Sequence, residues 1–190
     1  MTNRINTLEP NRMMKTTIAF LATLLLAPAS YAQLSDDPAY AMLDGIGACM
    51  LGNGTVDLTT KALADIGWTS KVDGELGTLD FRPASGDKTF GNLANNGEYC
   101  QVESLAIGTE DAQTMFNLFL LGGNSGIEVT ASGTDADSCT THTLSTGAVA
   151  TITSGGNDPV CASKENAAVR FTFLKSNRPR TGPQGPGSPN

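Results

Sequence analysis

His142 is the only histidine in the chain, and it stands in a run of hydroxyl side chains, Thr140-Thr141-His142-Thr143. Histidine changes charge closer to neutral pH than any other unperturbed side chain, which makes it the first residue to consider for proton transfer. As a general base it needs a hydroxyl to activate and an acid to orient its ring. Asp135 and Asp137 lie a few positions upstream, and Ser and Thr are plentiful. This set describes a small hydrolase that uses His142 with a nearby hydroxyl and an Asp. A lone histidine on a polar strand is more commonly a solvated surface group, so the sequence favours the second state.

The other chemical motifs are incomplete. Ser85-Gly86-Asp87-Lys88 has the S-x-x-K spacing of serine acyltransferases but lies between Pro83 and a turn, without the companion elements. Gly123-Asn124-Ser125-Gly126 has Ile127 where a nucleophile elbow needs glycine. Gly155-Gly156-Asn157 has no following lysine to hold a phosphate. Thr134–Ser138 places two carboxylates two residues apart but lacks the glycine and distant glutamate of a calcium loop. Neither a metal nor a cofactor is called for. Trp68, Phe81, Phe90 and Tyr99 fall on adjacent expected strands, where they form either a binding face or part of the core.

The compartment limits these choices. Lys15 precedes the apolar run Ile18–Leu26, and Pro28 and Ala29-Ser30-Tyr31-Ala32 follow it. A basic start, a short apolar middle and small residues before a cut describe a secretory signal, with cleavage after Ala32. The run is shorter than the roughly 20 residues a spanning helix needs, and no cysteine stands at the cut to carry a lipid. The expected product is periplasmic or secreted, with no stable membrane anchor. It carries nine basic and eighteen acidic residues, a net charge of −9. No basic face is available to displace counterions, so nucleic acid is excluded as a partner.

Cys49, Cys100, Cys139 and Cys161 are an even set in an exported chain, which makes disulfides the default. Of the three possible pairings, Cys49–Cys100 with Cys139–Cys161 is preferred, because each bond then closes within one half of the chain. Residues 176–190, SNRPRTGPQGPGSPN, offer no large apolar side chain and read as a disordered tail.

Between these ends, residues 33–175 form one domain. Asp36-Asp37-Pro38 starts a helix that runs to Gly52, although Gly45 and Gly47 weaken it by up to about 1 kcal/mol each relative to Ala. Thr55 or Asp57 caps a second helix, Leu58–Ile66, and Thr109 caps a third, Glu110–Leu121. Strands are expected over Trp68–Val72, Gly77–Arg82, Thr89–Leu93 and Glu98–Ile107, with Asn95-Asn96-Gly97 as a hairpin turn. They resume over Ile127–Ala131, Cys139–Leu144, Ala148–Thr153 and Val169–Leu174. The fold class is α+β: antiparallel sheet with helices packed on one face, read as two α-β-β-β units and stabilised by disulfides. The functional reading is an exported non-enzymatic protein that binds another exported protein or a ligand. The hydrolase on His142 is the alternative, and an inhibitor presenting the loop Pro83–Lys88 is a third.

Overall fold

The computed structural model describes residues 36–122, 126–156 and 159–174. The leader with its cut after Ala32, the tail 176–190 and Ser125 of the elbow-like motif lie outside the described residues. The described residues form three helices: α1 (Pro38–Gly52), α2 (Val56–Asp65) and α3 (Thr109–Leu121). Eight strands accompany them: β1 (Trp68–Asp73), β2 (Thr78–Pro83), β3 (Thr89–Ala94), β4 (Tyr99–Ser104), β5 (Val129–Thr134), β6 (Thr140–Leu144), β7 (Val149–Thr153) and β8 (Ala167–Thr172). Among the described residues, no helix is long and apolar enough to cross a membrane.

Local chemistry sets the helix ends. Asp37 Oδ1 accepts the Ala39 N–H at 2.8 Å, and Pro38 takes the first helical position, where no N–H is needed. Asn53 ends α1 in the left-handed region, with φ 45° and ψ 45°. Thr109 does not cap α3; Gly108 holds that position. The Thr109 hydroxyl is instead committed to the segment before β8, accepting the Ser163 N–H at 3.2 Å. Gly45 and Gly47 give α1 more than they cost. A Cβ on Gly45 would stand 2.8 Å from Val102 Cγ1, and one on Gly47 would stand 3.1 Å from Phe119. Their absence lets α1 approach both β4 and α3.

All strand pairs are antiparallel, in the order β1-β2-β3-β4-β8-β7-β6-β5. Two four-strand meanders therefore meet along their last strands. One register row runs Val72, Leu79, Leu93, Cys100, Phe171, Ala150, His142, Ser132 across the whole sheet. The adjacent row runs Lys71, Asp80, Asn92, Gln101, Arg170, Thr151, Thr141, Gly133. Neighbouring residues on a strand point to opposite faces, so the first row belongs to an inner face and the second to an outer one. Helices α1 and α3 contact each other, and both touch the central strand β8. Phe116 of α3 packs on Phe171 with ring centroids 6.2 Å apart, and Met42, Ile46 and Leu63 are fully buried with them.

Two disulfides are formed. Cys49–Cys100 ties α1 to β4 in the core, and Cys139–Cys161 ties the start of β6 to the segment after β7. They enclose 51 and 22 residues of sequence separation, so in the chain-entropy picture they contribute about 4 and about 3 kcal/mol. Urea unfolding should show the larger loss for the Cys49→Ala/Cys100→Ala pair, since Cys49 and Cys100 are also fully buried. Equal losses for the two pairs would contradict this assignment of the stronger clamp.

Candidate functional site

His142 lies on β6 in the inner row, where that row leaves the apolar core. Its ring stacks on Phe116 of α3 at 5.1 Å between centroids, with 20° between planes. One helical turn before Phe116, Gln113 brings Oε1 to 3.2 Å from His142 Nε2. Gln113 Nε2 donates to Asn117 Oδ1 at 3.0 Å, so the amide oxygen is the atom left for the histidine. His142 Nε2 must then carry the proton, and Nδ1 is the acceptor. Ser132, its register partner on β5, places Oγ 2.9 Å from that nitrogen. A base is thus aimed at a hydroxyl, as the hydrolase reading requires.

The orienting group differs from the expectation. Asp135 Oδ1 accepts the N–H groups of Asp137 and Cys139, at 3.0 and 2.8 Å, and so closes the β5–β6 turn. The place of the acid is taken by the neutral amide of Gln113. Ser132 is exposed on the edge strand, and neither of the two larger clefts described is lined by His142 or Ser132.

The four aromatics do not make one face. Trp68 and Phe81 point inward and are buried, with ring centroids 5.9 Å apart. Phe81 pairs with Gly91, and a Cβ there would stand 2.3 Å from the Phe81 ring, so the missing side chain makes room for that ring. Phe90 and Tyr99 have the opposite parity and lie half-buried on the outer face. The loop Pro83–Lys88 is exposed from Ala84 to Lys88, and Ser85 and Lys88 lie in its bends rather than at a helix start.

On the outer face the centre of the sheet and its β1–β3 side are in different states. At the centre, Arg170 Nε donates to Gln101 Oε1 at 2.5 Å, and Gln101 Nε2 donates to Glu103 Oε1. Glu103 Oε2 accepts the Gly156 N–H at 3.2 Å, and the Arg170 guanidinium lies 4.9 Å from the centroid of Tyr99. These groups satisfy one another.

Across β1–β3 the same face opens into a cleft of about 740 Å³, with Thr69, Lys71, Asp80, Arg82, Phe90 and Asn92 in its lining. Among the described residues neither Lys71 nor Arg82 forms an ion pair. Asn92 Oδ1 is covered and has no hydrogen-bond partner, a state that costs about 1–3 kcal/mol. Asp80 Oδ1 accepts the Thr78 hydroxyl at 2.8 Å. At one end of the cleft, the backbone N–H groups of Leu76 and Glu75 hold the Asp73 carboxyl below its ordinary pKa. Sequence reasoning missed Lys71, Asp80, Arg82 and Asn92. Their signal was parity, since Asp80 and Arg82 alternate with buried Leu79 and Phe81.

Among the described residues, no group of three or more His, Cys, Asp or Glu side chains is placed to hold a metal ion. No protein-family model, curated protein or solved structure matches this chain.

Burial pushes the His142 pKa below its ordinary 6.5. The unfolded chain then takes up a proton at a higher pH than the folded chain does. Below pH 6.5, and down to the lowered folded value, acid therefore favours unfolding. The stability of the parent chain relative to His142→Gln should fall as pH drops from about 7.5 to about 5.5, read by urea midpoints. A difference that stays constant over that range would remove the buried neutral imidazole from the account.

Proposed function

We propose that this protein is exported to the periplasm or beyond and acts by binding a ligand or another exported protein in the β1–β3 cleft. In this reading the leader is removed after Ala32, residues 33–175 fold as one domain, and 176–190 is a disordered tail. The two disulfides support an oxidising compartment. The helices are read as lying together on the inner face, which leaves the outer face open. The unit of construction is read as a helix followed by antiparallel strands, used twice.

One observation carries the binding reading. The cleft gathers cations without ion pairs and an amide oxygen without a donor, on a sheet whose centre has satisfied its own polar groups. Binding sites differ from stable surface in this way, because an occupant completes the hydrogen bonds. Amide shifts under titration with a library of sugars, amino acids, peptides and organic anions provide the test. Perturbation should centre on Lys71, Asp80, Arg82, Phe90 and Asn92, and Arg82→Ala should weaken binding about tenfold. Shifts confined to other elements, or none, would defeat this reading.

The second reading is a hydrolase, favoured by the 2.9 Å contact between Ser132 Oγ and His142 Nδ1. Ser132 Oγ would attack an ester carbonyl while its proton passes to Nδ1. That proton then goes to the departing alkoxide, and water releases the acyl group. Gln113 positions the ring but, being neutral, stabilises the imidazolium less than a carboxylate would. Turnover of activated esters that disappears in both Ser132→Ala and His142→Ala would put this reading ahead of binding. Equal rates in parent and variants would remove it.

A further inference from the structure

The chemistry of the cleft narrows its occupant. Building on the binding reading, we infer that the β1–β3 cleft is a site for a neutral polyhydroxylated ligand, a mono- or oligosaccharide.

Charge is the first constraint. The cleft is lined by two cations, Lys71 and Arg82, and two carboxylates, Asp73 and Asp80, in a chain whose net charge is −7. An anion reaching Lys71 also meets Asp80, its register partner on β2, and a cation reaching Asp80 also meets Lys71. Opposite charges on neighbouring positions favour a ligand that is uncharged yet both donates and accepts.

Backbone availability is the second constraint. Strand β2 pairs with β1 and β3, and β3 pairs with β2 and β4. Their N–H and C=O groups are therefore spent in ladders on both sides, and the floor formed by β2 and β3 offers no main chain to an incoming strand; the unpaired groups of the edge strand β1 point away from β2 in the plane of the sheet. An extended peptide gains its affinity by adding to a sheet edge, so lying across this face would leave its amides to side chains alone. Hydroxyl groups do not have that requirement.

The side-chain set is the third constraint. Asp80 and Asn92 face each other directly across β2 and β3, with Cβ atoms about 5 Å apart. A carboxylate, an amide and a guanidinium each present two polar atoms in one plane, the arrangement that grips a pair of neighbouring hydroxyls. The Asn92 oxygen is covered and unpartnered, so a ligand hydroxyl reaches it only when the amide rotates about Cβ–Cγ. Phe90 lies two residues before Asn92 on the same outer face, about 7 Å along the strand. Its ring supplies an apolar platform for the C–H face of a pyranose.

Calorimetric titration of the full exported chain tests this with three probe sets. The first is glucose, galactose, mannose, N-acetylglucosamine and their short oligomers. The second is polygalacturonate fragments, and the third is extended peptides. A neutral sugar should bind, and Phe90→Ala and Asn92→Ala should each weaken it about tenfold or more, with Tyr99→Ala within twofold of the parent. Asp80→Asn keeps the side-chain shape and should show the same loss, which guards against a Phe90 variant that fails to fold. If peptides or the anionic fragments bind instead, with the same sensitivity, the assignment to a neutral saccharide falls and the cleft remains a binding site. If nothing in any set binds, or binding ignores Phe90, Asn92 and Asp80, the saccharide assignment is overturned. Amide shifts at the cleft with any other ligand then decide separately whether the binding reading stands.

Discussion

The pairing of β4 with β8 is the contact on which the rest of the molecule depends. Every other strand pair joins neighbours in sequence, whereas this one brings Tyr99–Ser104 against Ala167–Thr172 across the length of the second meander. Closing so long a loop is entropically unfavourable, although the cost grows only slowly with length. Apolar burial offsets it. Val102 faces Val169 and Cys100 faces Phe171 in the seam, and all four are fully buried. Helices α1 and α3 both contact β8, and α1 also contacts β4, so elements from both halves of the chain meet at the seam. On the opposite face, Gln101 and Arg170 bridge the same two strands with a charge-assisted hydrogen bond. Losing the seam would divide one core into two partial ones.

Much of this architecture was legible in the residues. Asp37-Pro38 marked the start of α1, and Asn96-Gly97 marked the β3–β4 turn, where Gly97 adopts φ 65°. What was not legible shares one cause, the need for partners distant in sequence. Gly45 and Gly47 read locally as weaknesses, but their role comes from Val102 and Phe119. Thr109 has the chemistry of a cap and is drawn away by Ser163. Trp68 and Phe81 lie on the strands expected for them, but only the register shows that they face the core while Phe90 and Tyr99 do not. Gln113 was invisible as a partner of His142, since an orienting group is looked for among carboxylates and near in sequence.

The polar row of the outer face shows how one surface can hold two kinds of side chain. Where the sheet is most central, the side chains of Gln101, Glu103 and Arg170 are mutually satisfied, which holds the seam rigid. On the next three strands, β3, β2 and β1, the same face holds the unpartnered Asn92 oxygen and, at Arg82 and Lys71, cations without ion pairs. Unused capacity that close to a structured centre is held in place by the scaffold while contributing little to it. Lys71 and Arg82 take part in no ion pair among the described residues.

The two cross-links close intervals that do not overlap, 49 to 100 and 139 to 161. Of the three ways to join four thiols, this is the only one that follows their order along the chain. For a polypeptide threaded amino end first into an oxidising space, the first sulfur bond can form before the third thiol has emerged. The second then has only one thiol left to choose. In that setting consecutive pairing requires no wrong bond to be opened by an isomerase.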